Sequence, residues 1–314
     1  PAPLAAIGGI MIPAMVARGY GAAWAASLCA VAGCIGIFIP PSVAMINYAV
    51  LANVSVAKQL LSGVIPGLMT ALALCILAYF QGKRRGYIGG ESFSFHRFLS
   101  SLKEGIWPLL MPVIILGGIY GGFFTPTEAA AVACAYALFV GLFITKELNW
   151  KLLRDIMVRS ASTSATIMFI IAAAAAFGKL LTVAQVPAAL VSFITNNNVS
   201  APVFLLIVTI ILLIAGTFMD QISTVLILTP MLLPIANQLG INPVHFGALM
   251  VVNITFGLLT PPLGVHLFMA CGIAKIKFSE ILKEMVPFLV ACLIIILLVT
   301  YIPPLTTFLP QFAQ

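Results

Sequence analysis

Phe256-Gly-Leu-Leu-Thr-Pro-Pro-Leu-Gly264 lies inside a long apolar run that extends from about His245 to Cys271. Its adjacent prolines, Pro261 and Pro262, remove two backbone N–H donors and clash with the preceding turn. Gly257 and Gly264 loosen the backbone on either side. In lipid, such a break is tolerated only where it is buried in protein or lines a cavity. The stretch therefore reads as a broken membrane helix, the device on which transporters build their sites. A proline kink without a ligand is the plainer alternative.

Composition supports a membrane setting. The chain has 314 residues, 62% of them hydrophobic and 7% charged, with a mean hydropathy of +1.18. Soluble domains carry about 25% charged residues. The fold class expected is an all-α polytopic membrane protein. The net charge of +7 belongs to particular loops, which points to topology and not to nucleic-acid binding. Cys29, Cys34, Cys75, Cys134, Cys271 and Cys292 all lie in apolar segments without a Cys-x-x-Cys pair. They read as small core residues, with no disulfide frame or metal centre implied. The opening Pro-Ala-Pro-Leu carries neither an initiator Met nor a basic signal segment, and it reads as a fragment.

The order of segments repeats this theme. Residues 4–16 are apolar but too short to span a bilayer core of about 30 Å. A second apolar run over 21–52 is interrupted at Gly36-Ile-Phe-Ile-Pro-Pro-Ser42. Spans are expected at 63–81, 106–123, 126–145, 161–182 and 286–303. An amphipathic stretch at 146–159, with Trp150, Leu153 and Ile156 among charges, reads as a helix lying along the interface. Residues 202–215 and 225–236 are each too short to span. With Gly216–Thr224 between them they read as a re-entrant hairpin with a polar tip. A loop is expected at 186–198.

An internal repeat appears at an offset of 221, where Pro40-Pro41 falls on Pro261-Pro262, Gly36 on Gly257, Pro13 on Pro234, Gly19 on Gly240 and Pro66 on Pro287. These matches are Gly and Pro, which set backbone shape. Residues 4–16 then correspond to the second limb of the hairpin, and the first copy of the tip is expected upstream of Pro1. Four spans separate the two broken helices, so the copies run in opposite directions. Charge agrees: Arg18 and the basic residues of 83–103, 146–159 and 275–283 fall on one side, with Lys58 nearly alone on the other. Positive residues mark the cytoplasmic face, which places the C-terminus in the periplasm. The organisation expected is first-repeat transport elements in 1–62, scaffold spans and an interfacial arm in 63–159, and a scaffold span and loop in 160–200. Second-repeat transport elements follow in 201–274, then an arm and last span in 275–314.

Chemistry is expected where hairpin tip and break meet. A carboxylate at membrane depth costs about 2.5–3.5 kcal/mol on insertion scales, so Asp220 stands out. Freed carbonyls and hydroxyls are hard ligands suited to a small cation such as Na⁺. The candidate cation ligands are Gly36, Pro40 and Ser42 in the first copy, and Gly216, Thr217, Asp220, Ser223, Thr224, Gly257, Thr260 and Pro261 in the second. A cap on the second limb is the other role open to Asp220, and the two are compatible. Half-helix N-termini after Pro41 and Pro262 favour an anionic group. Ser42, Asn47, Asp220 and His266 could add hydrogen bonds, although each residue type is also common as a packed polar group. Glu128 follows Thr125-Pro-Thr and is expected as a first-turn carboxylate. No nucleophile–base pair, phosphate loop or nucleotide motif is present, so no enzyme and no resident cofactor are expected.

Three stretches carry a resemblance. Gly117-Gly-Ile-Tyr-Gly-Gly-Phe-Phe-Thr125-Pro-Thr-Glu128-Ala-Ala-Ala-Val132, Met11-Ile-Pro-Ala-Met-Val-Ala-Arg-Gly19-Tyr20 and Gly36–Ser42 resemble the large membrane subunit of tripartite ATP-independent periplasmic transporters. The resemblance covers essentially the whole chain. It departs at the start, where that family has a Ser/Gly-rich tip. It implies an elevator-type secondary transporter of the ion-transporter superfamily in a bacterial inner membrane. Its cargo would be an organic acid of the sialic acid or C4-dicarboxylate type, driven by Na⁺. It also implies a small membrane subunit, separate or fused upstream, and a periplasmic substrate-binding protein. An ion channel or passive pore built on the same breaks is the alternative.

Overall fold

The computed structural model describes residues 3–87, 94–186, 189, 191–192 and 196–313, and all regular elements among them are helical. Five of these helices, Val56–Arg84, Pro126–Ile144, Trp150–Leu181, Ala201–Phe218 and Phe278–Tyr301, are long and apolar enough to cross a membrane. The chain divides into two compact units, one comprising Pro1–Ile88 and Ala174–Phe312, the other Gly89–Ala173 with the last two residues.

The larger unit begins with a π-helical turn at Leu4–Gly8 that runs into α1 (Gly9–Ala17). Next come α2 (Ala22–Phe38), α3 (Val43–Ala52), α4 (Val56–Ser62) and α5 (Val64–Arg84). In the smaller unit are α6 (Phe95–Glu104), α7 (Ile106–Tyr120) and α8 (Pro126–Phe139), and the first part of α9 (Trp150–Val183). The larger unit resumes with α10 (Ala201–Phe218), α11 (Gln221–Gln238), α12 (Pro243–Gly257) and α13 (Val265–Ala274). It closes with α14 (Phe278–Tyr301), the short α15 (Pro304–Thr307) and a 3-10 turn at Leu309–Phe312.

Both expected breaks are present. Helices α2 and α3 bend by 40° across Ile39–Ser42, and α12 and α13 are separated by Leu258–Gly264. Every residue of α12 from His245 to Gly257 is buried. A helix apolar on all sides buries all sides, so α12 forms the core of this unit.

Backbone shape follows the repeat closely. Gly19 and Gly240 both take positive φ, 86° and 71°, a region open to glycine at little cost. Each ends its helix with the same bonds, Gly19 N to Val16 O and Tyr20 N to Met15 O, against Gly240 N to Asn237 O and Ile241 N to Ala236 O. Beyond the breaks the register slips by one residue. Val54 N bonds Ala49 O while Ile276 N bonds Cys271 O, so the ungapped alignment holds for the helix before each break and not for the turn that ends the half-helix after it. Packing is reciprocal as well: α3 lies on α11 and α13 on α1, while α13 lies on α2 and α3 on α12. Such exchange is what a two-fold relation between the copies produces.

Two expectations need correction. The hairpin limbs are 18 residues each, not 12–14, because only Met219 and Asp220 interrupt them, and the first limb is long and apolar enough to cross a membrane, so shortness does not make it re-entrant. The polar residues assigned to a wide tip stay helical, with Thr217 Oγ1 donating to Ile214 O at 2.8 Å and Thr224 Oγ1 to Asp220 O at 2.8 Å. Hydroxyls that bond the preceding turn in this way are compatible with a helix. Secondly, the stretch expected to lie along the interface is continuous with the following span in the 34-residue α9; no Gly or Pro occurs between Lys146 and Phe177 to break it. Helix α5, expected among the scaffold spans, packs on α2 in the larger unit. The expected loop at 186–198 lies partly outside the described residues.

Candidate functional site

The second break is built by exhaustion of donors. At the end of α12, Leu258 N bonds Ile254 O at 3.2 Å, Leu259 N bonds Phe256 O at 3.0 Å and Thr260 N bonds Gly257 O at 2.9 Å. The last turn thus tightens to i+3 bonding, as helix ends do. Leu259 N, the ordinary donor to Thr255 O, is spent on Phe256 O. Pro261 and Pro262 offer no N–H. Gly264, at φ +52°, turns the chain so that His266 N reaches Leu258 O at 3.2 Å, and α13 begins.

Against this break lies the end of α10. A Cβ placed on Gly216 would stand 2.7 Å from Ile254 O and 3.0 Å from Gly257 Cα, and one placed on Gly257 would stand 2.8 Å from Gly216 Cα. The two glycines expected as site residues are therefore the crossing point of α10 and α12, backbone against backbone. Met219 N closes on Ala215 O, and the carbonyls of Gly216, Thr217 and Phe218 belong to the last turn, which has no intrahelical donors left.

Asp220 takes the capping role left open by the sequence. Its Oδ2 accepts from Ile222 N at 3.0 Å and Ser223 N at 3.1 Å, and its Oδ1 accepts from Ser223 Oγ. The carboxylate is exposed and has about four lone-pair sites, so the cap leaves acceptor capacity. Thr260 Oγ1 donates to Phe256 O at 3.1 Å. Like Thr217 and Thr224 it spends its proton on its own helix and keeps oxygen lone pairs.

Sequence reasoning missed Gln221 and Thr255. Gln221 Nε2 donates to Thr255 Oγ1 at 2.7 Å, joining the first residue of α11 to the last turns of α12. The available signal was a Gln beside Asp220 and a Thr two residues before Gly257.

In the first copy, Ile39 N bonds Ile35 O at 3.1 Å. The next donors would be residues 40 and 41, both prolines, so the carbonyls of Gly36 and Ile37 lose their i+4 partners. Ser42 caps α3 without a side-chain bond. It is 3% exposed, and its Oγ and the Nδ2 of half-buried Asn47 have no hydrogen-bond partner. Buried polar atoms ordinarily have partners, so these two are open to a ligand. His266 is fully buried, with Nδ1 3.5 Å from Cys34 Sγ and Nε2 without a partner. The rings of Phe38 and Phe256 meet edge-on at 5.3 Å between the two breaks.

Oxygen dominates the possible ligands. Among the described residues no group of three or more His, Cys, Asp or Glu could hold a metal ion. Carbonyl and hydroxyl oxygens suit a hard monovalent or divalent cation over a soft one. Away from the breaks, Arg85 forms a two-pronged ion pair with Glu284, 3.1 and 2.6 Å, which ties α5 to α14. That hydrogen-bonded carboxylate holds the Arg85 guanidinium above its ordinary pKa. In the smaller unit Thr125 and Glu128 form a reciprocal cap on α8, with Thr125 N to Glu128 Oε2 at 2.8 Å and Glu128 N to Thr125 Oγ1 at 3.3 Å. The first-turn role expected of Glu128 is the one observed.

Comparison with known proteins gives a consistent result. A family model described as tripartite ATP-independent periplasmic transporter, DctM component, matches residues 1–305. The isethionate TRAP transporter permease protein DctMQ of Oleidesulfovibrio alaskensis is 42% identical over 309 residues, covering 98% of this chain and 49% of that protein. The C4-dicarboxylate TRAP transporter large permease protein DctM of Pseudomonas aeruginosa is 41% identical over 312 residues, covering 99% of this chain and 73% of that protein. The sialic acid TRAP transporter large permease protein SiaM of Vibrio cholerae is 36% identical over 305 residues, covering 97% and 71%. The chain thus spans about half the length of the first relative and under three quarters of the other two.

Proposed function

The chain belongs to the DctM component family of tripartite ATP-independent periplasmic transporters, and on that premise we propose that it is the permease subunit of a secondary transporter importing an organic acid. The coupling ion is Na⁺, and movement is of the elevator type, with the larger unit carrying the site. No catalytic chemistry is assigned. Relatives named for isethionate, C4-dicarboxylates and sialic acid support an anionic cargo. Partners are a small membrane subunit, encoded separately or fused, and a periplasmic binding protein, with the complex in the bacterial inner membrane and the C-terminus periplasmic.

One observation carries the reading: the contact of Gly216 with Gly257. It brings together two helix ends whose last carbonyls lack intrahelical donors. Gly216, Thr217, Gly257 and Thr260, with Asp220 alongside, would supply oxygens to a cation there. Gly36, Pro40 and Ser42 would serve the first copy in the same way. Ser42 Oγ at the N-cap of α3 and Asn47 Nδ2 in its second turn would offer hydrogen bonds to a carboxylate at the positive helix end.

Uptake of labelled organic acid into proteoliposomes holding the full complex tests this. Saturable uptake that follows an inward Na⁺ gradient and not a K⁺ gradient is the expected result. Uptake indifferent to Na⁺ removes the coupling, and flux without saturation favours a pore.

A further inference from the structure

We propose that Gln221 and Thr255 are positioning residues, whose shared hydrogen bond sets the start of α11 on the broken helix and thereby the geometry of both binding regions. The inference rests on the transport reading given above. Three observations lead to it.

First, the bond is placed at the turn of the hairpin. Only Met219 and Asp220 separate α10 from α11, and Gln221 follows directly. Its amide reaches Thr255 Oγ1 at 2.7 Å. The neighbouring crossing at Gly216 and Gly257 holds α10 against α12 backbone to backbone, and Phe204 of α10 stacks on Phe246 of α12. The directed bond from Gln221 adds a hold on the start of α11, which the α10–α12 crossing does not itself reach.

Second, the Thr255 hydroxyl is bonded on both its donor and an acceptor side. Thr255 is fully buried, donates its proton to Val251 O at 2.6 Å and accepts from Gln221. The hydroxyl thus both donates and accepts within the protein, which fits a strut between α11 and α12. Third, Thr255 stands where the two copies touch. Its carbonyl, released from Leu259 N, is approached by Cys34 Sγ at 3.9 Å. Cys34 and Thr255 are 221 residues apart, the offset of the repeat, so each occupies the other's equivalent position. Cys34 Sγ also meets His266 Nδ1 on α13. Helix α11 in turn packs on α3, the helix that carries Ser42 and Asn47. A shift at Gln221 therefore reaches the second-copy crossing directly and the first-copy half-helix through α11.

The test is a variant series in the reconstituted full complex, read as the Na⁺ and organic-acid concentrations giving half-maximal uptake, alongside the maximal rate and the melting temperature. Thr255→Val removes the hydroxyl at nearly constant shape, and Thr255→Ser keeps it. Gln221→Leu removes the donor. Thr255→Val and Gln221→Leu are each expected to raise the half-saturating concentrations by roughly five- to thirtyfold, as for a part-buried bond left with one partner. Thr255→Ser should stay near wild type, and the double variant should be no worse than the worse single one. A lower melting temperature with unchanged half-saturation assigns the bond to stability alone and overturns the proposal. Additive losses in the double variant overturn it also. If wild-type uptake ignores Na⁺, the coupling reading fails by itself, and the positioning claim is then decided by the organic-acid half-saturation.

Discussion

Replacing Gly216 by Ala puts a methyl carbon 2.7 Å from the Ile254 carbonyl oxygen and 3.0 Å from Gly257 Cα. Both obstacles are backbone atoms, so no rotamer change relieves them. Carbon atoms settle at about 3.5–4.0 Å, so α10 and α12 must part by at least about 0.5 Å. Overpacking of this kind costs about 1–3 kcal/mol, roughly a 5- to 140-fold change in an equilibrium constant. The cost falls on the contact that holds the last turn of α10 against the break. Gly272 supplies the control: it lies inside α13 with nothing within 4 Å of an added Cβ, so Gly272→Ala should be neutral or stabilise by about 0.5–1 kcal/mol. Melting temperature in detergent and Na⁺-dependent uptake read the two variants. Gly216→Ala is expected to lose stability and to require more Na⁺. Equal melting and equal uptake in Gly216→Ala and Gly272→Ala would refute the close crossing as the basis of the site.

Asp220→Asn and Asp220→Ala separate two roles. Asn caps a helix about as well as Asp, whereas Ala costs about 0.5–2 kcal/mol; a charge requirement predicts wild-type melting but lost uptake in Asp220→Asn, and a purely capping role predicts normal uptake. For Arg85 and Glu284, 37% and 25% exposed, a double-mutant cycle on melting should give only about 0.2–1 kcal/mol, reduced further by salt. A coupling far above that range would show the pair to be more desolvated than its exposure indicates.

Much of the architecture was legible because Gly and Pro fix backbone shape wherever they stand. Pro40-Pro41 and Pro261-Pro262 announced the breaks, and Gly19 and Gly240 announced the matching helix ends. Helix limits were harder to read. Thr217, Ser223 and Thr224 look like loop residues, yet their hydroxyls bond their own helices or the Asp220 cap. The charged start of α9 resembled a separate surface helix because amphipathicity marks a surface and not a helix end. At the site, sequence marked the residues whose type is unusual in lipid, such as Asp220. It did not mark Gln221 or Thr255, since their role comes from a contact across 34 positions. Nor could it show that Ser42 Oγ is buried without a partner.

The most direct test of the central claim is Na⁺-dependent thermal stabilisation of the purified protein, because a ligand bound only by the folded state raises stability as RT ln(1 + [L]/Kd). Melting is compared in Na⁺ and in choline at equal ionic strength, for wild type and Gly216→Ala. The melting temperature is expected to rise with Na⁺ concentration in the wild type and much less in the variant. Identical melting of the wild type in Na⁺ and choline would contradict a cation site at the crossing of hairpin and broken helix.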